Sequence, residues 1–151
     1  MEPANFADEL ADALVGVQRL IRRRLRGGTS VPRLRGAEVE LLRLVMDRPG
    51  IGISDAAREL YLAGNSVSTL VNQLVKDGYL IRGTDPADRR AARLLTTPAA
   101  EARLRDWRER RTALVRRQVA RLDDADRDAL RAALPALRKL ARNLREETEE
   151  T

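Results

Sequence analysis

The helical periodicity of this 151-residue sequence gives way at one place to two short runs with strand composition. These runs, Tyr79–Arg82 and Arg93–Thr97, flank the turn-forming segment Asp85–Asp88, and together they predict a β-hairpin. Before and after the hairpin, apolar residues recur at intervals of three and four, which is the spacing of amphipathic helices. The sequence therefore predicts a mainly α-helical fold with a small β-hairpin.

Three short helices are predicted directly before the hairpin. Their ranges are about residues 35–48, 54–60 and 65–76. The residues expected to face inward from the first of them are Val39, Leu42, Val45 and Met46. Ser54 is expected to cap the second helix, and Gly78 to close the third as the residue after its C-cap.

Long amphipathic segments lie on both sides of this middle region. The first covers about residues 6–26, and the second runs from Pro98 nearly to the end, with a restart at Asp123 or Asp124. The last stretch carries apolar residues in a heptad pattern, namely Leu130, Leu134, Leu137, Ala141 and Leu144. We therefore interpret residues 1–151 as a single protomer with a compact lobe at residues 34–97.

The sequence contains neither cysteine nor histidine. Their absence excludes disulfides, thiol redox chemistry and catalysis by Ser-His-Asp or Cys-His groups, and it leaves tetrahedral zinc without its usual ligands. A site built from carboxylates alone is left open, although the acidic pairs fall on charged helix surfaces. We predict that the chain is not an enzyme and holds neither a metal nor a cofactor.

No apolar stretch is long enough to span a bilayer. The first five residues, Met1–Asn5, are acidic rather than basic, and no apolar segment typical of a secretory signal follows them. We therefore expect a cytoplasmic protein without a membrane partner.

The predicted helix at residues 65–76 has an unusual surface for this chain. Charged residues make up 34% of the sequence, yet none lies between Asn65 and Val75. Neutral hydrogen-bonding side chains occupy the expected exposed face, namely Asn65, Ser66, Ser68, Thr69, Asn72 and Gln73. Three helices followed by a hairpin is the order of a winged helix, whose third helix enters the major groove of DNA. Asn and Gln side chains can pair bidentately with adenine there. The alternative is a polar surface helix without a partner.

The tip of the hairpin continues into Asp88-Arg89-Arg90. Two adjacent arginines on a protruding loop suit phosphate contacts or insertion into a narrow minor groove. Asp88 is expected to pair with a neighbouring arginine and hold the shape of the loop, the alternative being an ordinary charged turn.

These motifs resemble those of the MarR family of bacterial winged-helix transcription regulators. Asp88-Arg89-Arg90 followed by the run Leu94–Pro98 is similar to the family's D-R-R motif and the strand after it, and the run Val67–Leu80 is similar to its recognition-helix segment. The chain departs from the family at Thr69, where many members have arginine. It also departs at Ala63, where a capping serine is common, so that Gly64 or Asn65 must begin the helix.

The resemblance implies an obligate homodimer. Helices within residues 5–30 and 98–146 would be the dimerisation helices, and the two recognition helices would enter successive major grooves of a pseudo-palindromic double-stranded DNA operator. It places Arg90 in the minor groove and Asp88 as the acid that orients it. The predicted DNA-binding residues are Asn65, Ser66, Ser68, Thr69, Gln73, Lys76, Asp88, Arg89 and Arg90.

The resemblance also implies a small anionic aromatic effector, bound in a crevice between the dimer helices and the DNA-binding lobe. Candidate ligand-binding residues are Arg19, Arg22, Trp107 and Arg111, although core packing at the dimer interface is the alternative role of Trp107. We predict a homodimeric, sequence-specific DNA-binding transcriptional regulator, a repressor released by such a ligand. The alternative is a helical, dimeric protein-interaction module that has lost DNA binding.

Overall fold

The computed structural model describes residues 3–26, 34–88 and 91–149, which form six helices and one two-stranded antiparallel sheet. In chain order the elements are α1 (Pro3–Arg24), α2 (Gly36–Asp47), α3 (Ile53–Leu60), α4 (Gly64–Lys76), β1 (Leu80–Thr84), β2 (Ala92–Thr96), α5 (Pro98–Val119) and α6 (Asp124–Glu149). The predicted mainly α-helical fold with a single small hairpin is confirmed. In the part of the chain described, no helix has the length and apolar character that a membrane crossing requires.

The chain divides into two compact units. The first, which we call the winged-helix unit, consists of residues 33–107 and 145–151 and contains α2, α3, α4 and the hairpin. The second, which we call the terminal-helix unit, consists of residues 1–32 and 108–144 and contains α1 and most of α6.

Every short helix and both strands of the winged-helix unit contribute to one apolar core. Its buried members are Leu41, Leu42, Val45, Ile51, Ala56, Ala57, Val67, Val71, Leu74, Leu80, Leu94 and Ala100. Helix α4 supplies Val67, Val71 and Leu74, each 0% exposed. Because these residues are three or four positions apart, they lie on one face of the helix, and the opposite face of α4 is left to solvent.

The buried face of α2 differs from the one predicted. Leu41 is buried, whereas Met46, which was expected to face inward, is exposed. The buried face is rotated toward Glu38, a buried residue whose carboxylate accepts a hydrogen bond from the Arg35 backbone N–H at 3.2 Å. The expected inward position of Met46 was therefore wrong, because it was read from apolar spacing alone and the side chain at the helix start was left out.

The start of α3 also differs from the prediction. Its N-cap is Gly52, with extended backbone angles and no side-chain capping bond. The Ala56 N–H donates to the Gly52 carbonyl at 3.0 Å, so the N-cap lies two residues earlier than expected and Ser54 lies inside the helix. The assignment of Ser54 as the cap was therefore wrong. In α4, Ala63 is the N-cap without a side-chain bond, and Gly64 is the first helical residue. Gly64 was one of the two starts, Gly64 or Asn65, that the sequence left open.

The hairpin is attached to the body of the winged-helix unit through its second strand. Within the hairpin, Leu80 lies opposite Thr96 and Thr84 opposite Ala92. The loop between α2 and α3 pairs with β2 as well, because the Gly50 N–H donates to the Leu94 carbonyl at 2.8 Å and the Leu94 N–H donates to the Ile51 carbonyl at 3.0 Å. These bonds fix the position of the hairpin beside the helices.

The junction between α4 and β1 is closed by Gly78, as the sequence predicted. Gly78 has a φ of +83°, and its N–H donates to the Val75 carbonyl while the Tyr79 N–H donates to the Leu74 carbonyl. This is the Schellman pattern, in which a left-handed residue satisfies the last carbonyls of a helix. The Thr97 hydroxyl then donates to the Gly78 carbonyl at 2.6 Å, and this bond joins the end of α4 to the residue before α5.

Replacing Gly78 with alanine is expected to lower the free energy of unfolding by about 1 kcal/mol, because a left-handed backbone is unfavourable for an L-residue with a Cβ atom. A Cβ atom at Gly78 would meet no heavy atom within 4 Å, so the loss arises from the backbone alone. Gly36→Ala is the matched control, since Gly36 also has open space around it but no positive φ. Urea denaturation of both variants measures the difference, and equal stabilities would contradict the prediction.

Candidate nucleic-acid interface

The solvent face of α4 carries most of the side chains predicted to read DNA. Those that are exposed are Asn65, Ser66, Thr69, Asn72, Gln73 and Lys76, whereas Ser68 is half-buried at the edge of the face. Lys76 is the one charged residue of the helix. Apart from Lys76 and the partly exposed Val75, the side chains of this surface are neutral hydrogen-bonding groups, and the other face of the helix packs in the core.

The Thr69 side chain is partly committed to its own helix. Its hydroxyl donates to the Asn65 carbonyl at 3.0 Å, the i−4 bond that Ser and Thr commonly form in helices. With its hydrogen engaged in this way, the Thr69 oxygen is presented to a partner as a hydrogen-bond acceptor.

Two charged residues contact the amides of α4, and neither was singled out from the sequence. Arg82 on β1 donates from Nη2 to Asn72 Oδ1 at 2.8 Å. Gln73 donates from Nε2 to Asp77 Oδ1 at 3.0 Å. The second pair has a sequence signal, since residues four positions apart on a helix are neighbours. The first arises from the packing of β1 beside α4 and has no local signal.

The loop of the hairpin is organised by Asp85, a further residue whose role was not predicted from the sequence. Its Oδ1 accepts the Ala87 backbone N–H at 2.9 Å, and its Oδ2 lies 3.5 Å from Arg93 Nε. The signal was present in the Asp-Pro pair at the start of the turn, because an aspartate there commonly bonds the backbone two residues ahead. Asp88 is exposed, and its N–H donates to the Asp85 carbonyl at 3.2 Å.

Arg89 and Arg90, the two arginines predicted to contact DNA from the hairpin tip, lie outside the described residues. Their role stays a prediction from the sequence motif.

The candidate effector-binding residues are distributed over both units. Arg19 and Arg22 are exposed on α1, and Arg111 is half-buried on α5, all three in the terminal-helix unit. Trp107 is half-buried and belongs to the winged-helix unit. Within the terminal-helix unit, Arg110 Nη2 donates to the Leu25 carbonyl at 3.2 Å and connects α5 to the end of α1. Binding of an effector by these residues stays a prediction.

The described residues present hydrogen-bonding groups on the surface of α4. Among them, no group of three or more acidic side chains is placed to hold a metal ion. The surface of α4 presents donors and acceptors of hydrogen bonds on a convex helix of 13 residues, and the major groove of B-DNA is wide enough to admit such an element.

The family comparison agrees with this geometry. The family model described as the MarR family matches residues 34–91, a segment that contains α2, α3, α4 and β1. Over this segment the chain is similar to the MarR family, as the sequence motifs indicated. A search of the curated protein sequences found no match.

Solved structures extend the similarity to nearly the whole length of the chain. The transcriptional regulator Tm0710 from Thermotoga maritima is 27% identical, with a TM-score of 0.70 over 93% of this chain and 97% of that one. FabT from Streptococcus pneumoniae, solved in complex with DNA, is 20% identical, with a TM-score of 0.69 over 95% and 99% of the two chains. PcaV from Streptomyces coelicolor, solved with its natural ligand, is 17% identical, with a TM-score of 0.57 over 93% and 97%. The last two similarities are similarities of fold.

Proposed function

We propose that this chain is a member of the MarR family and a homodimeric, sequence-specific DNA-binding repressor that a small ligand releases from its operator. The observation that carries the proposal is the solvent face of α4, which is mostly polar, carries no charge from Gly64 to Val75 in an Arg-rich chain, and lies beside the hairpin. Neutral donors and acceptors on a rigid helix are what base-edge readout in the major groove requires. A helix face that is only exposed to solvent would have no reason to lack charged residues.

The proposed DNA contacts divide into two classes. Side chains of α4 face base edges, whereas Asp88, Arg89 and Arg90 at the hairpin tip serve the phosphate backbone and the minor groove. FabT, which shares the fold, was solved in complex with DNA, and this supports the same use of the fold here. Base contacts determine which sequence is bound, and phosphate contacts determine position and much of the affinity.

The homodimer is supported by apolar side chains that the single chain leaves exposed. On α1 these include Phe6, Leu14, Val17 and Leu20, and on α6 they include Leu130, Leu134 and Leu144. Rows of large apolar residues on two helices are rarely left in water by a monomeric protein. A second copy of the chain would cover them and would place two α4 helices for a two-fold symmetric operator.

The proposed release of the protein from DNA by a small ligand is supported by a protein that has the same fold. PcaV, which shares this fold, was solved with its natural ligand. For this chain we propose an anionic aromatic ligand contacted by Arg19, Arg22, Trp107 and Arg111, acting in the cytoplasm. Such a ligand regulates the protein only if the DNA-binding and released forms bind it with different affinities.

Selection of duplexes from a random library, with the oligomeric state of the same protein measured by sedimentation, tests the proposal. The expected result is a dimer and a pseudo-palindrome with half-sites about one helical turn apart. A folded dimer that selects no sequence would instead support the alternative, a protein-interaction module without DNA binding. Thermal-shift screening of small aromatic acids then tests the ligand.

An Arg90→Ala variant is expected to bind every duplex more weakly by a similar factor, because the proposed contact is to the backbone and the minor groove. The slope of log affinity against log salt is expected to become shallower by about 1, as loss of one phosphate contact requires. Arg142→Ala, which removes the same charge from an exposed position on α6, should leave the slope near that of the wild type. Fluorescence anisotropy at several salt concentrations measures both, and an unchanged slope for Arg90→Ala would refute the wing assignment.

A further inference from the structure

The amide orientations of Asn72 and Gln73 are determined by the chemistry of their neighbours. A guanidinium group donates hydrogen bonds and has no acceptor, whereas a carboxylate accepts and has no donor when ionised. The Asn72 atom that lies 2.8 Å from Arg82 Nη2 must therefore be its oxygen. The Gln73 atom that lies 3.0 Å from Asp77 Oδ1 must likewise be its nitrogen.

We propose that Arg82 and Asp77 are positioning residues that set the base preference of α4 by making Asn72 a hydrogen-bond donor and Gln73 a hydrogen-bond acceptor. The inference rests on the proposed DNA binding and specifies what the helix reads. Asn72 keeps both N–H donors available to a partner, and Gln73 keeps its whole carbonyl oxygen available.

Opposite charges beside the two amides strengthen this assignment. The Asn72 oxygen retains a second lone pair, but the amino group of a base reaching it would approach the positive Arg82. The Gln73 nitrogen retains a second hydrogen, but an acceptor atom reaching it would approach the negative Asp77. Both effects increase when the interface excludes water, since charges interact more strongly at lower dielectric constant.

The consequence is that neither amide forms the two-bond contact with adenine that free Asn and Gln side chains prefer. That contact requires one oxygen and one nitrogen of the same amide, facing adenine N6 and N7. As a donor, Asn72 suits base edges with acceptors, namely guanine, thymine O4 or adenine N7, and it disfavours cytosine. As an acceptor, Gln73 suits the amino groups of cytosine and adenine and disfavours guanine and thymine.

The experiment compares the DNA sequences selected by the wild type with those selected by two variants, each of which removes the charged neighbour of one amide. Arg82→Met frees the Asn72 oxygen, and Asp77→Ala frees the Gln73 nitrogen. Each variant is expected to raise the preference for adenine at one base pair of the half-site by about tenfold, within the discrimination of a bidentate contact. Arg142→Met and Asp128→Ala remove the same charges from exposed positions on α6 and should change affinity without changing the preferred bases.

A double-mutant cycle separates positioning from direct contact. In an Asn72→Ala background, Arg82→Met should no longer change the preferred base, because the amide that it positions is absent. A change of preference that persists in that background would show that Arg82 contacts the base itself, and the positioning role would be wrong.

Amide resonances of the DNA-free protein provide a second readout. In the ¹H–¹⁵N spectrum, Arg82→Met should move the side-chain signals of Asn72, and Asp77→Ala should move those of Gln73. If the wild type selects no sequence, the DNA-binding proposal fails and the base preferences fail with it. If the wild type selects an operator and both variants keep its base preferences, the positioning assignment alone is wrong.

Discussion

A Leu130→Asp variant is expected to dissociate into folded monomers and to bind the selected operator at least about a hundredfold more weakly than the wild type. A second half-site contact made within one assembly typically raises the overall affinity by two or more orders of magnitude, and a monomer loses that gain. This is the largest effect on DNA binding that we expect from a substitution outside the winged-helix unit.

The expected dissociation follows from the exposure of Leu130. Its side chain is 50% exposed in the single chain, and Leu134 and Leu144 of the same apolar row on α6 are 44% and 61% exposed. A carboxylate at position 130, the first position of this row, is tolerated while water surrounds it. Covering it with apolar side chains of a second copy would remove its hydration without providing a partner, which costs several kcal/mol.

Ala132→Asp is the matched control for this variant. Position 132 is exposed and lies two residues further along α6, which at 100° per residue places it on the opposite face of the helix. The control carries the same added charge and should remain a dimer with nearly unchanged operator affinity. Sedimentation and circular dichroism of both proteins test the prediction, which is wrong if Leu130→Asp remains a dimer with operator affinity close to that of the wild type.

The elements of the winged-helix unit were predictable from short-range signals. Val67, Val71 and Leu74 follow the helical period, and Gly78 stands where only a residue tolerant of positive φ closes the helix well. The hairpin was predictable because its two strands flank an Asp-Pro turn. Each of these signals lies within a few residues of the element that it determines. The signal can therefore be recognised in a single sequence.

The end of α3 shows where such signals fail. Tyr61, rather than glycine or asparagine, adopts the left-handed conformation there, with a φ of 53°. The Leu62 N–H then donates to the Ala57 carbonyl at 3.0 Å, so the turn is completed despite the unfavourable residue. Propensity alone does not predict this cap, because the short connection to α4 requires the turn whichever residue occupies it.

The candidate interface also has one feature that the sequence predicts and one that it does not. The exposed polar face of α4 follows from the helical period, since the apolar positions define which side chains are left outside. The hydrogen bond from Arg82 to Asn72 joins residues ten positions apart and depends on how β1 packs beside α4. Its geometry therefore required the tertiary structure, although it determines which atoms of Asn72 are left for the proposed contact with DNA.

Leu74→Ala is expected to give the largest loss of stability among the variants considered, about 2–5 kcal/mol in the free energy of unfolding. Truncating a fully buried leucine removes apolar contacts and leaves a cavity, and the two losses together typically fall in this range. Leu74 is 0% exposed and lies in the core formed by the short helices and the hairpin. Its carbonyl also accepts the Tyr79 N–H at 2.8 Å in the turn that leads to β1.

The neighbouring residue on the same helix provides the control. Val75 is 39% exposed, so Val75→Ala removes little buried surface and should lower the free energy of unfolding by less than about 1 kcal/mol. Urea denaturation at a fixed protein concentration compares the two variants. Because Leu74 anchors α4 from behind and does not face the proposed DNA, Leu74→Ala should weaken binding to all duplexes alike and leave the selected sequence unchanged. A changed base preference in Leu74→Ala, or a loss of stability no larger than that of Val75→Ala, would show that the core does not hold α4 in the way that its burial indicates.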